Sequence, residues 1–247
     1  MSSDKIKSLK SQQAKVEEVV EKTNSLKTSF WTVFGLATGS VFFISFFQIM
    51  ISNRSMQLFL GLQAILSVIT ACFYFFYARF SESSFPVDWK SLLLTRYKES
   101  AVSIPLIILS LVFLLSYNRG DGKDIPFNVA ATVALLALQY GSLLLQFLGD
   151  QGQIDKNLAL ASSSVLLLVL FCILFFLFLF PLSSSFSAFP EKYAILAVYF
   201  LLSVAHQVAY STDMLTRNSI LNILDFLTKC LVGILVGVYV LASSRVI

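Results

Sequence analysis

Residues 218–244 read NSILNILDFLTKCLVGILVGVYVLASS, an apolar run interrupted by only two charges, Asp225 and Lys229. A helix of that length crosses about 30 Å of hydrocarbon. An ionic group at bilayer depth costs at least about 2.5–3.5 kcal/mol, so a carboxylate and an ammonium there need a reason. They stand four residues apart, on one helical face, where each can neutralise the other. The pair admits two readings. It is an ion pair locking this helix to its neighbours, or a reactive amine with its own counter-ion.

Six further stretches contain no Asp, Glu, Lys or Arg: 30–53, 55–78, 100–118, 125–149, 157–190 and 193–212. The fifth is long for one helix, and Pro181 followed by Ser183, Ser184 and Ser185 is expected to end it near Leu182. Each helix is then roughly 20–27 residues, enough to span with modest tilt. Composition agrees: 57% of the chain is apolar and 13% charged, against about 25% charged in soluble domains. The fold class is all-α, a seven-transmembrane-helix bundle over 30–247. Continuous rather than alternating apolar runs exclude a membrane β-barrel.

Residues 1–29 form an N-terminal arm. Its first 27 residues hold six Lys and four acids and no apolar core, so no cleavable signal is expected. Ile6, Leu9, Val16 and Val20 fall near one helical face, which suits either a helix lying on anionic lipid or a solvated one. Loop charges set orientation. With the N-terminus cytoplasmic, the inside carries ten basic residues: Lys5, Lys7, Lys10, Lys15, Lys22, Lys27, Arg79, Lys90, Lys156 and Arg217. The outside carries five: Arg54, Arg119, Lys123, Lys192 and Arg245. An inside N-terminus and an outside C-terminus are therefore expected. The formal charge of +4 reflects this asymmetry, and the chain offers no basic, aromatic-interleaved domain for nucleic acid.

Cys72, Cys172 and Cys230 all sit inside spans, where thiols behave as small apolar groups. With His206 the only histidine, a multi-histidine metal site is impossible. No CxxC, phosphate loop or Ser/His/Asp constellation is present, so an enzyme is not expected.

The third span begins Thr95-Arg96-Tyr97-Lys98-Glu99-Ser100 and continues through Ser103 to Pro105. Glu99 and Ser103 lie one turn apart, with Arg96 one turn earlier on a neighbouring face. A carboxylate backed by an arginine, in a bundle holding a buried lysine, makes a counter-ion arrangement. The competing reading is that Arg96, Lys98 and Glu99 snorkel to the headgroups from the start of the span.

Taken together these segments resemble the microbial rhodopsins. Asp225-Phe226-Leu227-Thr228-Lys229 is similar to that family's D-x-x-x-K segment of helix seven. Arg96-Tyr97-Lys98-Glu99, with Ser103 and Pro105, is similar to its R-Y-x-D-x-x-x-T-x-P segment of helix three, with Glu for Asp and Ser for Thr. Architecture matches over all seven helices, residues in helices three and seven. Within the superfamily the chain most resembles heliorhodopsin, which uses a helix-three Glu, has Ser one turn later and inserts with its N-terminus inside. Helix six, Tyr199 to His206, also lacks the Trp and Pro pattern of ordinary members. Asp225, where heliorhodopsins usually have Ser, and Pro105 belong to the ordinary branch.

The resemblance implies that Lys229 forms a Schiff base with all-trans-retinal, that Glu99 is its counter-ion and Asp225 a second one, and that Ser103 adjoins them. An opposite charge favours the protonated form of such a base. Trp31 and Trp89 lie near span ends and cannot flank a mid-membrane polyene. Tyr199, Phe200, Phe171 and Tyr140 are wall candidates by depth, although packing or lipid contact would equally explain them. His206 is a candidate proton acceptor or a packing histidine. An ordinary proton pump carries a second carboxylate about eleven residues after the counter-ion, and here that position is Ser110. The expected function is a light-responsive receptor, with passive proton conduction along Arg96, His206 and an outer relay at Glu191 as an added possibility. Glu191, which follows Pro190, would serve equally as a first-turn acid facing the helix dipole. The alternatives are a light-driven ion pump and a proton-coupled small-solute transporter; the repeats or broken helices usual for the latter are missing. Hormone-receptor D-R-Y and N-P-x-x-Y segments are absent. Retinal, the lipid bilayer of the cell membrane and a second copy in a homodimer are the expected partners.

Overall fold

The computed structural model describes residues 3–83, 88–116, 128–179 and 190–244, without the side chains of 3–19, 83, 190, 191, 243 and 244. The helices are α1 (Ser3–Met50), α2 (Arg54–Ser83), α3 (Trp89–Ser116), α4 (Val129–Asp150), α5 (Lys156–Leu174), α6 (Pro190–Ser211), α7 (Met214–Phe226) and α8 (Val232–Ser244). A π-turn, Phe175–Leu179, extends α5, and another, Leu227–Leu231, joins α7 to α8. Seven apolar spans result among the described residues, the last being Met214–Ala242. This is the predicted all-α seven-helix bundle.

Successive helices pack side by side, and α7 and α8 return against α1. Odd-numbered spans therefore start at one end of the bundle, called here the near end, and finish at the far end. Helix starts are capped by short polar side chains, which take up backbone N–H groups left over in the first turn. Asn53 accepts from Met56 N, Asn128 from Ala131 N, Asp155 from Asn157 and Leu158 N, and Asp213 from Leu215 and Thr216 N. Asp88 caps α3 through Lys90 and Ser91. These bonds hold the exposed Asp88 and Asp213 carboxyls below the usual range, Ser91 and Thr216 contributing most.

α1 runs unbroken from the arm into the first span, so no helix end marks the expected boundary at residue 29. The side chains that would decide between a lipid-bound and a solvated arm lie outside the described residues, as does the expected end of the fifth helix at Pro181 and Leu182. Spans also begin earlier than charge counting implied. α3 starts at Trp89, ahead of both the charge-free run from 100 and the Thr95 start read for the third span, and the seventh span starts at Met214 rather than 218. Counting treats every charge as a loop marker, whereas Arg96, Glu99 and Arg217 are buried in helices. Lys192, counted in an outer loop, is buried too and donates from Nζ to the Leu115 carbonyl at 2.7 Å.

Two irregularities position the site. Pro105 lacks the N–H that would bond the Ala101 carbonyl, and Tyr140 of α4 donates its hydroxyl to that oxygen at 2.7 Å. The second is the π-turn Leu227–Leu231, where Ser67 of α2 donates to the Lys229 carbonyl at 3.1 Å. α3 is thus stitched to α4, and the lysine-bearing turn to α2.

Candidate functional site

Lys229 lies in the middle of its span, with its ammonium between two carboxylates. Nζ is 2.6 Å from Asp225 Oδ1 and 2.8 Å from Glu99 Oε1. Glu99 is 1% exposed, so its carboxylate needs full satisfaction inside the bundle. Its second oxygen accepts from the Tyr77 hydroxyl at 2.7 Å. The second oxygen of Asp225 accepts from Tyr74 at 2.8 Å and faces Arg96 Nη1 at 3.3 Å. Both carboxylates of the predicted counter-ion pair therefore meet the lysine, and a snorkelling Glu99 or Arg96 is excluded. Lys98, by contrast, is exposed.

Arg96 is the hub beneath this centre. Its Nε donates to Asn218 Oδ1 at 2.6 Å, and its Nη2 to Asn222 Oδ1. The rings of Phe30, Tyr74 and Tyr77 lie within 4.9–5.7 Å of its guanidinium carbon. Cation–π contact of this kind is worth most when desolvated. Asn222 also donates to Ser29 of α1 at 2.5 Å. The network carries two cations and two anions, and thus no net charge.

Sequence reading missed Tyr74, Tyr77, Asn218 and Asn222. A signal existed. Gln63, Ser67, Thr70, Tyr74, Tyr77 and Ser81 recur every three or four residues in α2 and are all buried, a polar stripe turned towards the bundle interior. Asn218, Asn222 and Asp225 repeat the pattern in α7.

A cavity of about 170 Å³ opens beside Lys229. Ile104, Ile107, Leu143 and Leu167 supply apolar wall, and Ser103, Ser142, Tyr199, Ser203 and His206 supply polar groups. The Ser103 hydroxyl is buried and has no hydrogen-bond partner among the described residues, while the buried Tyr199 hydroxyl faces the Gln63 side chain of α2. His206 Nδ1 sits 2.8 Å from the Leu202 carbonyl. Phe200 is not brought to the cavity: it is 38% exposed and packs edge-on against Phe171. Its helix turns the Tyr199 face inward, which sends the next residue outward. Tyr140 likewise serves α3 rather than the cavity. Glu191 lies in the first turn of α6, at the far end, and its side chain lies outside the described residues. Trp31 bonds Glu82 at the near end through Nε1 at 2.9 Å and does not line the cavity.

No family model and no curated protein sequence matches the chain. Solved structures do. The viral rhodopsin OLPVRII matches with a TM-score of 0.77 at 23% identity, over 90% of this chain and 99% of that one. The chain has the microbial rhodopsin fold. Xanthorhodopsin, described as a light-driven ion pump with dual chromophore, gives 0.69 at 16% identity, over 91% and 95%. The blue light-absorbing proteorhodopsin from Med12 gives 0.66 at 14%, over 90% and 98%. The microbial rhodopsin fold and the seven apolar spans make this a multi-pass membrane protein.

Proposed function

We propose that the chain is a retinal-binding, light-responsive membrane protein, with Lys229 as the point of attachment. The observation that carries this is the single lysine held mid-span between two buried carboxylates at the edge of a largely apolar cavity. The residues present fit such a group. Only the neutral amine adds to a carbonyl compound, and Glu99 and Asp225, 2.8 and 2.6 Å from Nζ, are placed to take its proton first. The buried Ser103 hydroxyl adjoins that pocket with no hydrogen-bond partner among the described residues, as a site for a further occupant would. Retinal when bound supplies the light absorption and isomerisation.

The protein's part is electrostatic. Glu99 and Asp225 balance positive charge at Nζ, and Tyr77 and Tyr74 donate to their outer oxygens. When charge at Nζ shifts, Glu99 is placed to accept a proton at Oε1, and Arg96 is placed to follow the altered balance through Asp225, Asn218 and Asn222. Helices α2, α3 and α7 share these bonds, so a change at Nζ is a change in their packing.

The finer reading is a heliorhodopsin-like, non-enzymatic photoreceptor of the cell membrane that holds all-trans-retinal. Its N-terminus would be inside, it would pair as a homodimer, and passive proton conduction would run towards Glu191. Glu99 and Ser103 support that branch; Asp225 and Pro105 favour the ordinary one, and with it a pump. The absence of a carboxylate at Ser110 favours the receptor. The test is colour. Membranes containing the chain should become pigmented with all-trans-retinal, and Lys229→Ala should stay colourless while remaining in the membrane. A pigmented alanine variant, or a colourless parent, would remove this reading.

A further inference from the structure

A second buried ion pair lies in the same bundle, and the site described above does not use it. Arg217 Nη1 is 2.7 Å from Asp150 Oδ2, with side chains only 6% and 4% exposed. The Tyr97 hydroxyl donates to the same carboxylate oxygen and accepts from Arg217 Nη2 at 3.1 Å. The guanidinium carbon lies 4.6 Å from the centre of the Tyr210 ring. One cluster thereby joins α3, α4, α6 and α7 at the near end.

Its position carries the inference. Arg217 and Tyr97 line the Lys229 cavity, whereas Asp150 is the last residue of α4, where its span ends. One turn before Arg217, Asp213 is exposed as the cap of α7. The guanidinium therefore stands between the cavity and the near surface. Gly149 makes the closure tight: a Cβ there would collide with the Tyr210 hydroxyl and come 2.6 Å from Ala159 Cβ. The cluster is also wired to the lysine centre through adjacent residues. Arg96 binds Asp225 and Asn218, Tyr97 binds Asp150, and Arg217 precedes Asn218.

We propose that Asp150, Arg217 and Tyr97 form a charged gate that closes the near mouth of the Lys229 cavity to water-soluble solutes, with the guanidinium barring cations. A fixed arginine in a narrow passage excludes protons and cations by charge. Asp150 offsets the cost of burying that charge, and breaking the pair leaves an uncompensated ion that draws water inward. The guarded site being that of retinal rests on the function proposed above; the closure itself does not.

The closure is tested first on the retinal-free chain. Ser142, buried at the cavity wall, is changed to Cys in a chain carrying Cys72→Ala and Cys172→Ala, and labelled with an uncharged, water-soluble methanethiosulfonate, which reads the closure without the charge of the guanidinium. Adding Asp150→Asn should raise the labelling rate tenfold or more. Exchanging the pair, Asp150→Arg with Arg217→Asp, should return it towards the parent's. Should Asp150→Asn fail to fold, Tyr97→Phe, which keeps the ion pair, should still raise the rate several-fold. Equal rates in the parent and every folded variant would overturn the gate. In the retinal-loaded chain, dark bleaching by hydroxylamine should accelerate in parallel. A chain that never forms pigment would end the retinal reading, yet the labelling arm would still decide the gate.

Discussion

The near and far halves of the bundle are built from different materials, although both lie within the apolar spans. Below Lys229, towards the near end, polar and charged side chains are buried and paired: Glu99 with Tyr77, Asp225 with Tyr74 and Arg96, Asn222 with Ser29, Asp150 with Arg217. Above it, Ile104, Ile108, Leu111, Val112 and Leu115 of α3 pack with residues of α5 and α6 in an apolar cluster. Ser110 and Ser116 lie in that half with buried hydroxyls that have no partner among the described residues. A protein that moves charge through both membrane faces needs polar groups on both sides of its centre. One that only senses charge at the centre needs a responsive network on one side. The contrast is one of degree, since Lys192 is buried in the far half and donates to the Leu115 carbonyl there.

The largest test of that contrast is at the centre itself. With retinal bound, Glu99→Gln should shift the absorption maximum to the red or discharge Nζ at neutral pH, visible in a single spectrum. Asp225 keeps one anion in place, so the double substitution with Asp225→Asn should be more severe. An unchanged spectrum in the single variant would make Asp225 the working counter-ion. Next comes the hub. Arg96→Ala leaves Asn218 and Asn222 without their donor and Asp225 with less positive charge, and should cost about 3–5 kcal/mol of stability, as removing one partner of a buried pair does. Thermal unfolding of the retinal-free protein reads this directly. A loss below about 1 kcal/mol would mean that the near network is not what holds these helices together.

Most of the architecture was legible in the sequence because hydrophobic length is a one-dimensional property. Lys229, Asp225 and Glu99 were legible for a related reason: charges within apolar runs stand out by their cost. The boundaries of the third and seventh spans were not. A charge-free run is shorter than the helix whenever a charge is neutralised inside, and the partner that neutralises it is remote. Arg217 looked like a loop residue because Asp150, 67 positions earlier, cannot be seen to face it. Tyr74 and Tyr77 were hidden among 24 Phe and 9 Tyr, and only the α2 polar stripe around them separated them from lipid-facing aromatics. Phe200 failed as a wall candidate because depth along a helix says nothing about which way it is rotated.

A middle-sized effect probes the near end from a residue without charge. Gly149→Ala adds one methyl where Tyr210 and Ala159 leave no room, and overpacking of this kind costs about 1–3 kcal/mol. Tyr210 donates to the Gln146 carbonyl at 3.1 Å and cradles Arg217, so the substitution should loosen the second ion pair as well. Thermal unfolding should drop, and a further Asp150→Asn should then cost less than it does in the parent, since the two changes disturb one cluster. Fully additive losses would mean that glycine and ion pair act independently.

The smallest effect is the sharpest comparison, because one substitution is made in both halves. Ser67 and Ser110 are each fully buried. Ser67 donates to the Lys229 carbonyl, within the second π-turn, at 3.1 Å. Ser67→Ala removes the donor and keeps the buried acceptor, so it should cost about 1 kcal/mol. Ser110 has a hydroxyl buried among apolar neighbours with no partner, and alanine there removes an unsatisfied polar atom at the expense of a very small void. That change should be neutral or stabilising by up to about 1 kcal/mol. Opposite signs for the same chemical change would show that hydroxyls are structural ties in the near half and surplus in the far half. If Ser110→Ala instead destabilised the retinal-free chain as much as Ser67→Ala, its hydroxyl would have to be satisfied by water. The far half would then be wet, and the route to that membrane face open.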